Sequence, residues 1–255
     1  MITRAVPLLL CGLLAAIPAR AEDLTVSVAV SVKEAVDEIG RGFVAARPGV
    51  TLRYNTGASG ALQKQIEAGA PVDVFVSAGA RQMDELERPG LIAAETRRAF
   101  ARNVLVAVTS TRSAVFDPRM PVDVRVLLER RVRRVGTGNP KTVPAGQYTE
   151  AALRAAGVWD RVRVKLVFGE NVRQVVDYVS RDEVDVGFVY ATDLALRRDR
   201  LRELFRPPVD SYPPIVYPAA VVRASRVPGL ARAFVDRLAG PDGAAVLAKH
   251  GFVRP

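Results

Sequence analysis

NTGASG, residues 55–60, joins a strand-like run at residues 50–54 to a helical pattern at residues 61–68. The two glycines let the backbone approach a small group closely, and Thr56 and Ser59 place hydroxyls where the helix should begin. Free N–H groups and a partial positive charge at a helix N-terminus favour anion binding. The alternative is that Ser59 only caps the helix. The stretch is not the phosphate loop of nucleotide hydrolases, because no Gly-Lys-Ser/Thr sequence follows it.

The same order of strand, turn and helix recurs along the chain. Apolar runs at residues 24–29 and 72–77 predict strands, and apolar residues at helical spacing follow the first of them. This alternation indicates an α/β fold with parallel strands. A second unit of the same kind begins near Asn103, with further strands predicted at residues 104–108, 134–136, 162–168, 185–190 and 215–222 and a helix at residues 122–129.

The spacing predicts two lobes, each a mixed, mostly parallel sheet flanked by helices, joined by connecting strands near residues 103–108 and 215–222. We assign residues 22–103 and 212–255 to lobe 1, and residues 104–211 to lobe 2. Ligands of such sheets bind beyond the carboxyl ends of the strands, which here means a cleft between the lobes.

Five turns between a strand and a helix offer hydroxyls or free N–H groups to this cleft. They lie at Ser31, Ser59, Ala145, Val172 and Tyr190. Each has a structural alternative: the two serines could be helix caps, Ala145 an ordinary first helical turn, Val172 a core residue and Tyr190 a packed aromatic.

The chain is basic, with 37 Lys and Arg against 27 Asp and Glu and a formal net charge of +10. Its arginines are scattered as pairs over many predicted helices and form no stripe with interleaved aromatic residues. This pattern favours solvated helix faces over a nucleic-acid site. The positive field would still attract a small anion.

The N-terminus has the pattern of a secretory leader. Arg4 provides a basic start, residues 6–17 are apolar, and Ala19-Arg20-Ala21 is a small-x-small cleavage sequence. We expect residues 1–21 to be removed after Ala21, which leaves an exported, soluble, periplasmic chain. Cys11, the one cysteine, lies inside this segment, so a lipoprotein is the alternative and the processed chain has no disulfide or thiol nucleophile.

Catalytic patterns are weak in this sequence. The single histidine, His250, sits at the end of a predicted C-terminal helix, where it suits a helix-terminal cation better than a base. The sequence has no Gly-x-Ser-x-Gly elbow and no metal-ligand spacing of His, Cys or paired acids. We therefore expect a binding protein without enzymatic activity, cofactor or bound metal ligand set.

These features resemble the periplasmic molybdate-binding proteins of ATP-driven importers over nearly the whole processed chain. The resemblance is carried by residues 24–31 (LTVSVAVS), 65–78 (QIEAGAPVDVFVSA), 143–148 (VPAGQY), 170–173 (ENVR), 187–190 (GFVY) and 217–219 (YPA). It implies a two-lobed, hinged type II binding protein that passes its ligand to a membrane permease driven by an ATPase. A monomer and no nucleic-acid partner are expected.

The resemblance also implies ligand contacts. They are the hydroxyl and N–H groups of Ser31 and Ser59, the N–H groups of Ala145 and Val172, and the phenol of Tyr190. The chain departs from the family pattern at Val30, where a smaller Ala is common, and at Ala58, where many relatives carry Ser.

A site made only of donors suits molybdate or tungstate, which are dianions without a proton at neutral pH. Hydrogen phosphate carries a proton that such a site leaves unpaired. The alternatives are a receptor for sulfate, phosphate or a metal cation, an exported hydrolase, or a DNA-binding regulator. We expect Ser59→Ala to weaken oxyanion binding with little change in the stability of the unliganded form, and affinity to follow pH only as the anion protonates.

Overall fold

A computed structural model describes residues 22–117 and 119–255 as two five-stranded sheets flanked by helices. The predicted leader, residues 1–21, lies outside the described residues. The sheets correspond to the predicted lobes, which are called lobe 1 and lobe 2 below. No helix of the described ranges is both long and apolar enough to cross a membrane.

The sheet of lobe 1 has the strand order β2-β1-β3-β10-β4. The first three strands are parallel, and β10 runs antiparallel to β3 and β4. Its strands are β1 (Glu22–Ala29), β2 (Val50–Gly57), β3 (Val74–Val76), β4 (Arg98–Asn103) and β10 (Ile215–Val221). Its helices are α1 (Lys33–Ala45), α2 (Ser59–Glu67), α3 (Ala80–Glu87), α8 (Pro228–Ala239) and α9 (Pro241–Lys249), with short 3-10 turns at Val30–Val32 and Ala94–Thr96.

The sheet of lobe 2 repeats this plan in the order β7-β6-β8-β5-β9, again with three parallel strands followed by two antiparallel pairings. Its strands are β5 (Leu105–Ser110), β6 (Val135–Gly138), β7 (Leu166–Gly169), β8 (Val186–Tyr190) and β9 (Leu201–Phe205). Its helices are α4 (Pro144–Ala155), α5 (Trp159–Val162), α6 (Val172–Ser180) and α7 (Ala191–Leu196), with 3-10 turns at Val124–Leu128 and Arg163–Lys165.

Two crossings of the chain join the lobes. β4 leads through Val104 into β5, and β9 leads through residues 206–214 into β10. In both cases an edge strand of one sheet continues as the antiparallel strand inside the other. The sheets therefore agree with two lobes and two connecting segments, while the residue boundaries at 103/104 and 211/212 remain a prediction.

Helical spacing of apolar residues explains how the helices cover the sheets. Val172, Val175, Val176 and Val179 form one buried stripe of α6, as their spacing predicts. The inner strands β5 and β8 are buried along their whole length, so they are apolar nearly throughout and do not alternate strictly.

Several local predictions are wrong. The stretch at residues 55–57 belongs to β2, so the turn before α2 is reduced to Ala58. The helix expected at residues 122–129 is a 3-10 turn, and the strand expected at residues 162–168 begins only at Leu166. β4 and β9 were not predicted as strands, because their alternating charged residues resemble a solvated helix face.

Candidate functional site

A small cleft lies between the carboxyl ends of the parallel strands of the two sheets. All five predicted site residues line it, and none of the lining residues is charged. The lining consists of Ala29, Val30, Ser31, Gly57, Ala58, Ser59 and Ala78 from lobe 1, and Val143, Pro144, Ala145, Asn171, Val172 and Tyr190 from lobe 2. The structure thus brings the predicted residues together, while their contact with a ligand remains a prediction.

Strand register explains why the two serines lie at the same edge of the sheet. Ala29 at the end of β1 pairs with Gly57 at the end of β2, so the turns that follow leave the sheet side by side. Ser31 lies in the 3-10 turn after β1, and Ser59 is the first residue of α2. Both side chains are buried.

Ser59 does not cap its helix. The residue before it, Ala58, occupies the cap position, and no side chain there bonds the first turn. The Ser59 hydroxyl oxygen instead accepts a hydrogen bond from the Ala78 N–H at 2.9 Å. A hydroxyl has one proton, and since this bond uses only the oxygen, that proton stays free to donate into the cleft.

The same bond revises one expectation. The Ala78 N–H is buried and depends on Ser59 for its hydrogen bond. Removing the hydroxyl would leave this N–H unpaired, which costs about 1–3 kcal/mol. Ser59→Ala should therefore lower stability as well as affinity.

Lobe 2 contributes backbone donors. Val143 is the cap residue of α4 and Pro144 its first residue, which leaves the Ala145 N–H in the first turn. α6 begins at Val172, and the Asn171 side chain before it accepts from the N–H of Gln174 at 3.1 Å. The first N–H groups of a helix have no partner within it, so those of Ala145 and Val172, which both line the cleft, are available as donors there.

Tyr190 ends β8 with its side chain buried. Its hydroxyl has no hydrogen-bond partner among the described residues, although such groups in protein interiors are nearly always paired. Burial raises the pKa of Tyr190 well above 10, so the phenol keeps its proton. An unpaired, protonated hydroxyl at the cleft is a donor in need of an acceptor.

A charged pair that sequence reasoning missed lies behind Tyr190. The Asp193 carboxylate is fully buried and accepts from the Tyr190 N–H at 3.0 Å. Burial raises the pKa of Asp193 to about 6, while the nearby Arg173, at 3.3 Å, opposes this shift. Arg173 also donates to Glu34 of lobe 1 at 2.7 Å, so it bridges the lobes.

The lobes touch at the rim of the cleft. The Gly60 N–H donates to the Thr142 carbonyl at 2.9 Å, and the Gln82 amide donates to Gln147 at 3.2 Å. A Cβ atom on Gly60 would lie 2.5 Å from the Thr142 oxygen, closer than real Cβ contacts. The arrangement is closed, and glycine is the residue that permits it.

Electrostatics of the cleft come from helix ends. α2, α4 and α6 all begin at the cleft, and their N-termini carry partial positive charge. Within residues 22–117 and 119–255, no three His, Cys, Asp or Glu side chains are grouped as metal ligands would be. His250 lies at the end of α9, 2.9 Å from Glu38, and does not line the cleft.

Three contributing residues escaped sequence reasoning. Ala78 follows β3, so the rule about strand ends could have found it. Tyr217 and Asn103, which bond each other behind Ser31, lie on β10 and at the end of β4. No sequence signal predicts that pairing, because it depends on β10 entering lobe 1 from the far end of the chain.

Comparison with known proteins gives a consistent picture. Residues 24–253 match the family described as bacterial extracellular solute-binding protein. The chain is 34% identical to a putative ABC transporter substrate-binding lipoprotein of Bacillus subtilis, covering 90% of this chain and 85% of that protein. It is 32% identical to the molybdate-binding protein of Haemophilus influenzae, covering 96% and 95% of the two chains.

A solved structure supports the same relation. It is the substrate-binding domain of a putative molybdenum ABC transporter from Clostridium difficile, with a TM-score of 0.69 and 32% identity. The match covers 91% of this chain and 99% of that one. The two mixed sheets flanked by helices are therefore the two-lobed architecture of such proteins, as the sequence predicts.

Proposed function

Since the chain belongs to the family of bacterial extracellular solute-binding proteins, we propose that it captures molybdate or tungstate between its lobes. It then delivers the anion to the permease of an ABC importer. Relatives of at least 30% identity are described by these same terms, as a molybdate-binding protein and as a component of a molybdenum transporter.

The observation that carries this proposal is a cleft with donors and no charged side chain. It is lined by Ser31, Ser59 and Tyr190, which carry hydroxyls, and by Ala145 and Val172, whose N–H groups lie in first helical turns. Three helix N-termini add positive potential without a mobile cation. Such a site can satisfy the oxygens of a dianion and offers no carboxylate to accept a proton from one.

Selectivity follows from this chemistry and from size. An anion that carries a proton, such as hydrogen phosphate, would leave that proton unpaired in the cleft. Sulfate carries no proton and the same charge as molybdate but is smaller, so rigid backbone donors must separate the two by distance. Val30 and Ala58 both line the cleft and are the residues through which its size could differ from that of relatives.

The alternative is a receptor for another tetrahedral oxyanion, such as sulfate or phosphate. It uses the same fold and the same helix ends. A catalytic function has less support, because neither cleft serine contacts a histidine: His250 bonds Glu38 instead. A metal cation receptor has none, since no carboxylate lines the cleft.

The proposed function also includes a cellular location and transport partners. We propose a periplasmic monomer, released by cleavage near Ala21, that docks on an inner-membrane permease with its ATPase. It binds no nucleic acid and catalyses no reaction. The family description and the transporter names of relatives support export and an ABC partner.

Calorimetric titration of the processed chain tests the proposal, with molybdate, tungstate, sulfate and phosphate as ligands. We expect one-to-one binding of the first two with micromolar or tighter Kd, about −8 kcal/mol, and weak or no binding of the others. Binding of sulfate or phosphate alone would keep the fold and replace the ligand. Binding of none of the four anions would contradict the proposal.

A further inference from the structure

The orientation of one hinge amide is fixed by a backbone donor. The Asn103 side-chain oxygen accepts from the N–H of Val104 at 2.9 Å. A backbone N–H can only donate, so the atom facing it must be the amide oxygen. The amide nitrogen of Asn103 therefore points the other way, and the two ends of this side chain cannot be exchanged.

This nitrogen faces two hydroxyls. It lies 2.9 Å from the Thr192 oxygen and 3.3 Å from the Tyr217 oxygen. An amide nitrogen has two protons and accepts nothing, so it donates to both hydroxyls. The Tyr217 oxygen accordingly acts as an acceptor toward Asn103.

The single proton of Tyr217 then has one described partner left. The Ser31 hydroxyl oxygen lies 3.1 Å from the Tyr217 oxygen. Either hydroxyl could donate in this contact, but Tyr217 has no other acceptor within hydrogen-bond distance among the described residues. The arrangement that uses its proton therefore has Tyr217 donating to Ser31, which leaves Ser31 to direct its own proton into the cleft. Burial raises the pKa of Tyr217 far above its ordinary value, so this donor is not lost by ionisation.

We propose that Asn103 and Tyr217 are positioning residues that turn the Ser31 hydroxyl into an obligatory donor and thereby set the preference of the cleft for anions without a proton. This inference rests on the proposed function. Without these two residues the Ser31 hydroxyl could rotate, present its oxygen to the cleft and accept a proton from hydrogen phosphate. When Asn103 and Tyr217 are present, turning the Ser31 oxygen toward the cleft would break its hydrogen bond with Tyr217.

The hydrogen-bonded chain from Asn103 through Tyr217 to Ser31, called the relay below, lies within lobe 1. Ser31 follows β1, Asn103 ends β4, and Tyr217 lies on β10. All three side chains are buried, and the Tyr217 ring packs edge-on against Phe252 with ring centres 5.3 Å apart. The three residues that direct the Ser31 proton therefore all belong to lobe 1, and the Asn103 contact with Thr192 reaches lobe 2.

A double-mutant cycle on the full chain tests the relay. Tyr217→Phe should weaken molybdate binding by about tenfold and bring the affinities for molybdate and phosphate closer together. In a Ser31→Ala background, Tyr217→Phe should change molybdate affinity by less than about twofold, because the group through which it acts is absent. An equal loss in both backgrounds would overturn the relay and leave Tyr217 a packing residue.

Tyr212→Phe is the matched control. Tyr212 is also a buried tyrosine at a lobe crossing, and its oxygen accepts from the Leu105 N–H at 3.3 Å. It does not line the cleft. We expect its loss to leave the ratio of molybdate to phosphate affinity unchanged.

Neutron diffraction of deuterium-exchanged protein, without any ligand, would locate the hydroxyl deuterium atoms of Tyr217 and Ser31 directly. The expected map places the Tyr217 deuterium toward Ser31 and the Ser31 deuterium toward the cleft. A Ser31 deuterium pointing at Tyr217 would overturn the inference even if molybdate binds. Conversely, this map together with no binding of any oxyanion by the unaltered protein would refute the proposed function and keep the relay.

Discussion

The two halves of the cleft present their donors by different means. Lobe 1 uses the hydroxyls of Ser31 and Ser59, each hydrogen-bonded to a neighbour: Ser59 accepts from the Ala78 N–H, and Ser31 bonds the Tyr217 hydroxyl. Lobe 2 uses the first N–H groups of α4 and α6, where the side chains of Ala145 and Val172 take no part. One half depends on side-chain identity, and the other depends on backbone conformation.

This difference determines what each half can discriminate. A hydroxyl can donate or accept, so the proposed relay makes lobe 1 a donor surface by having Tyr217 and Ala78 donate to its two hydroxyl oxygens. A backbone N–H can only donate, and a helix holds it in place, so lobe 2 fixes distance and angle. Under the proposed function, lobe 1 would reject a protonated anion through hydroxyl direction, whereas lobe 2 would set the size of the anion.

The largest expected loss of molybdate affinity comes from a substitution that prevents contact between lobe 1 and lobe 2. Gly60→Ala places a Cβ atom 2.5 Å from the Thr142 oxygen and 2.8 Å from its Cα, both backbone atoms that cannot rotate away. Overpacking of this kind costs about 1–3 kcal/mol, so we expect molybdate affinity to fall by up to about a hundredfold in calorimetry. Alanine favours helices over glycine, so the thermal stability of the unliganded protein should not fall.

Gly42→Ala is the control for that substitution. Gly42 lies in α1, where a Cβ atom would have a single near neighbour, an Arg237 nitrogen at 3.6 Å. We expect unchanged affinity. If Gly60→Ala also bound molybdate as tightly as the unaltered protein, ligand capture would not require the contact between the lobes.

The next effect isolates a backbone donor of lobe 2. Val172→Pro removes one N–H at the first position of α6, where proline is well tolerated. Asn171 before it is extended, at φ −159° and ψ 171°, as a residue before proline should be. A charge-assisted hydrogen bond contributes about 1.5–3 kcal/mol, so affinity should fall by roughly thirtyfold.

Val172→Ala separates the N–H from the side chain. It keeps the donor and removes buried methyl groups, so it should lower the melting temperature and leave affinity within about twofold. If alanine weakened binding as much as proline, the valine side chain would be the feature that shapes the cleft, and the backbone account of lobe 2 would be wrong.

The positions of the site could be predicted from sequence because they follow a rule of chain direction. Parallel strands end at one edge of a sheet, so Ser31 and Ser59 had to emerge together once the strands before them were recognised. The buried stripe of α6 placed Val172 in the same way. The sequence could not separate Ser59 from an ordinary N-cap; the structure does so by placing Ala58 at the cap and the Ala78 N–H on the Ser59 oxygen.

The remainder could not be predicted because it depends on long-range pairing. β9 has the sequence LRELF, whose charges suit an exposed helix, and it is a strand because it pairs with β5 at the edge of the sheet. Tyr217 reaches Ser31 because β10 inserts between β3 and β4, with an irregular register between Tyr217 and Pro218. Neither spacing nor composition encodes which distant strand fills that place in the sheet.

The smallest expected change in affinity belongs to lobe 1. Ser59→Ala removes one hydroxyl donor but keeps the N–H of the same residue, so molybdate should bind about tenfold more weakly. It should also destabilise the unliganded protein by about 1–3 kcal/mol in urea denaturation, because the Ala78 N–H loses its acceptor.

Thr109→Val is the control. The Thr109 hydroxyl donates to the Asp185 carbonyl at 2.8 Å, and Thr109 lies on a strand that does not line the cleft. It should lose stability and keep its affinity. If Ser59→Ala left the affinity unchanged, the Ser59 hydroxyl would only stabilise the turn after β3. Anion recognition in lobe 1 would then depend on Ser31 and on backbone N–H groups.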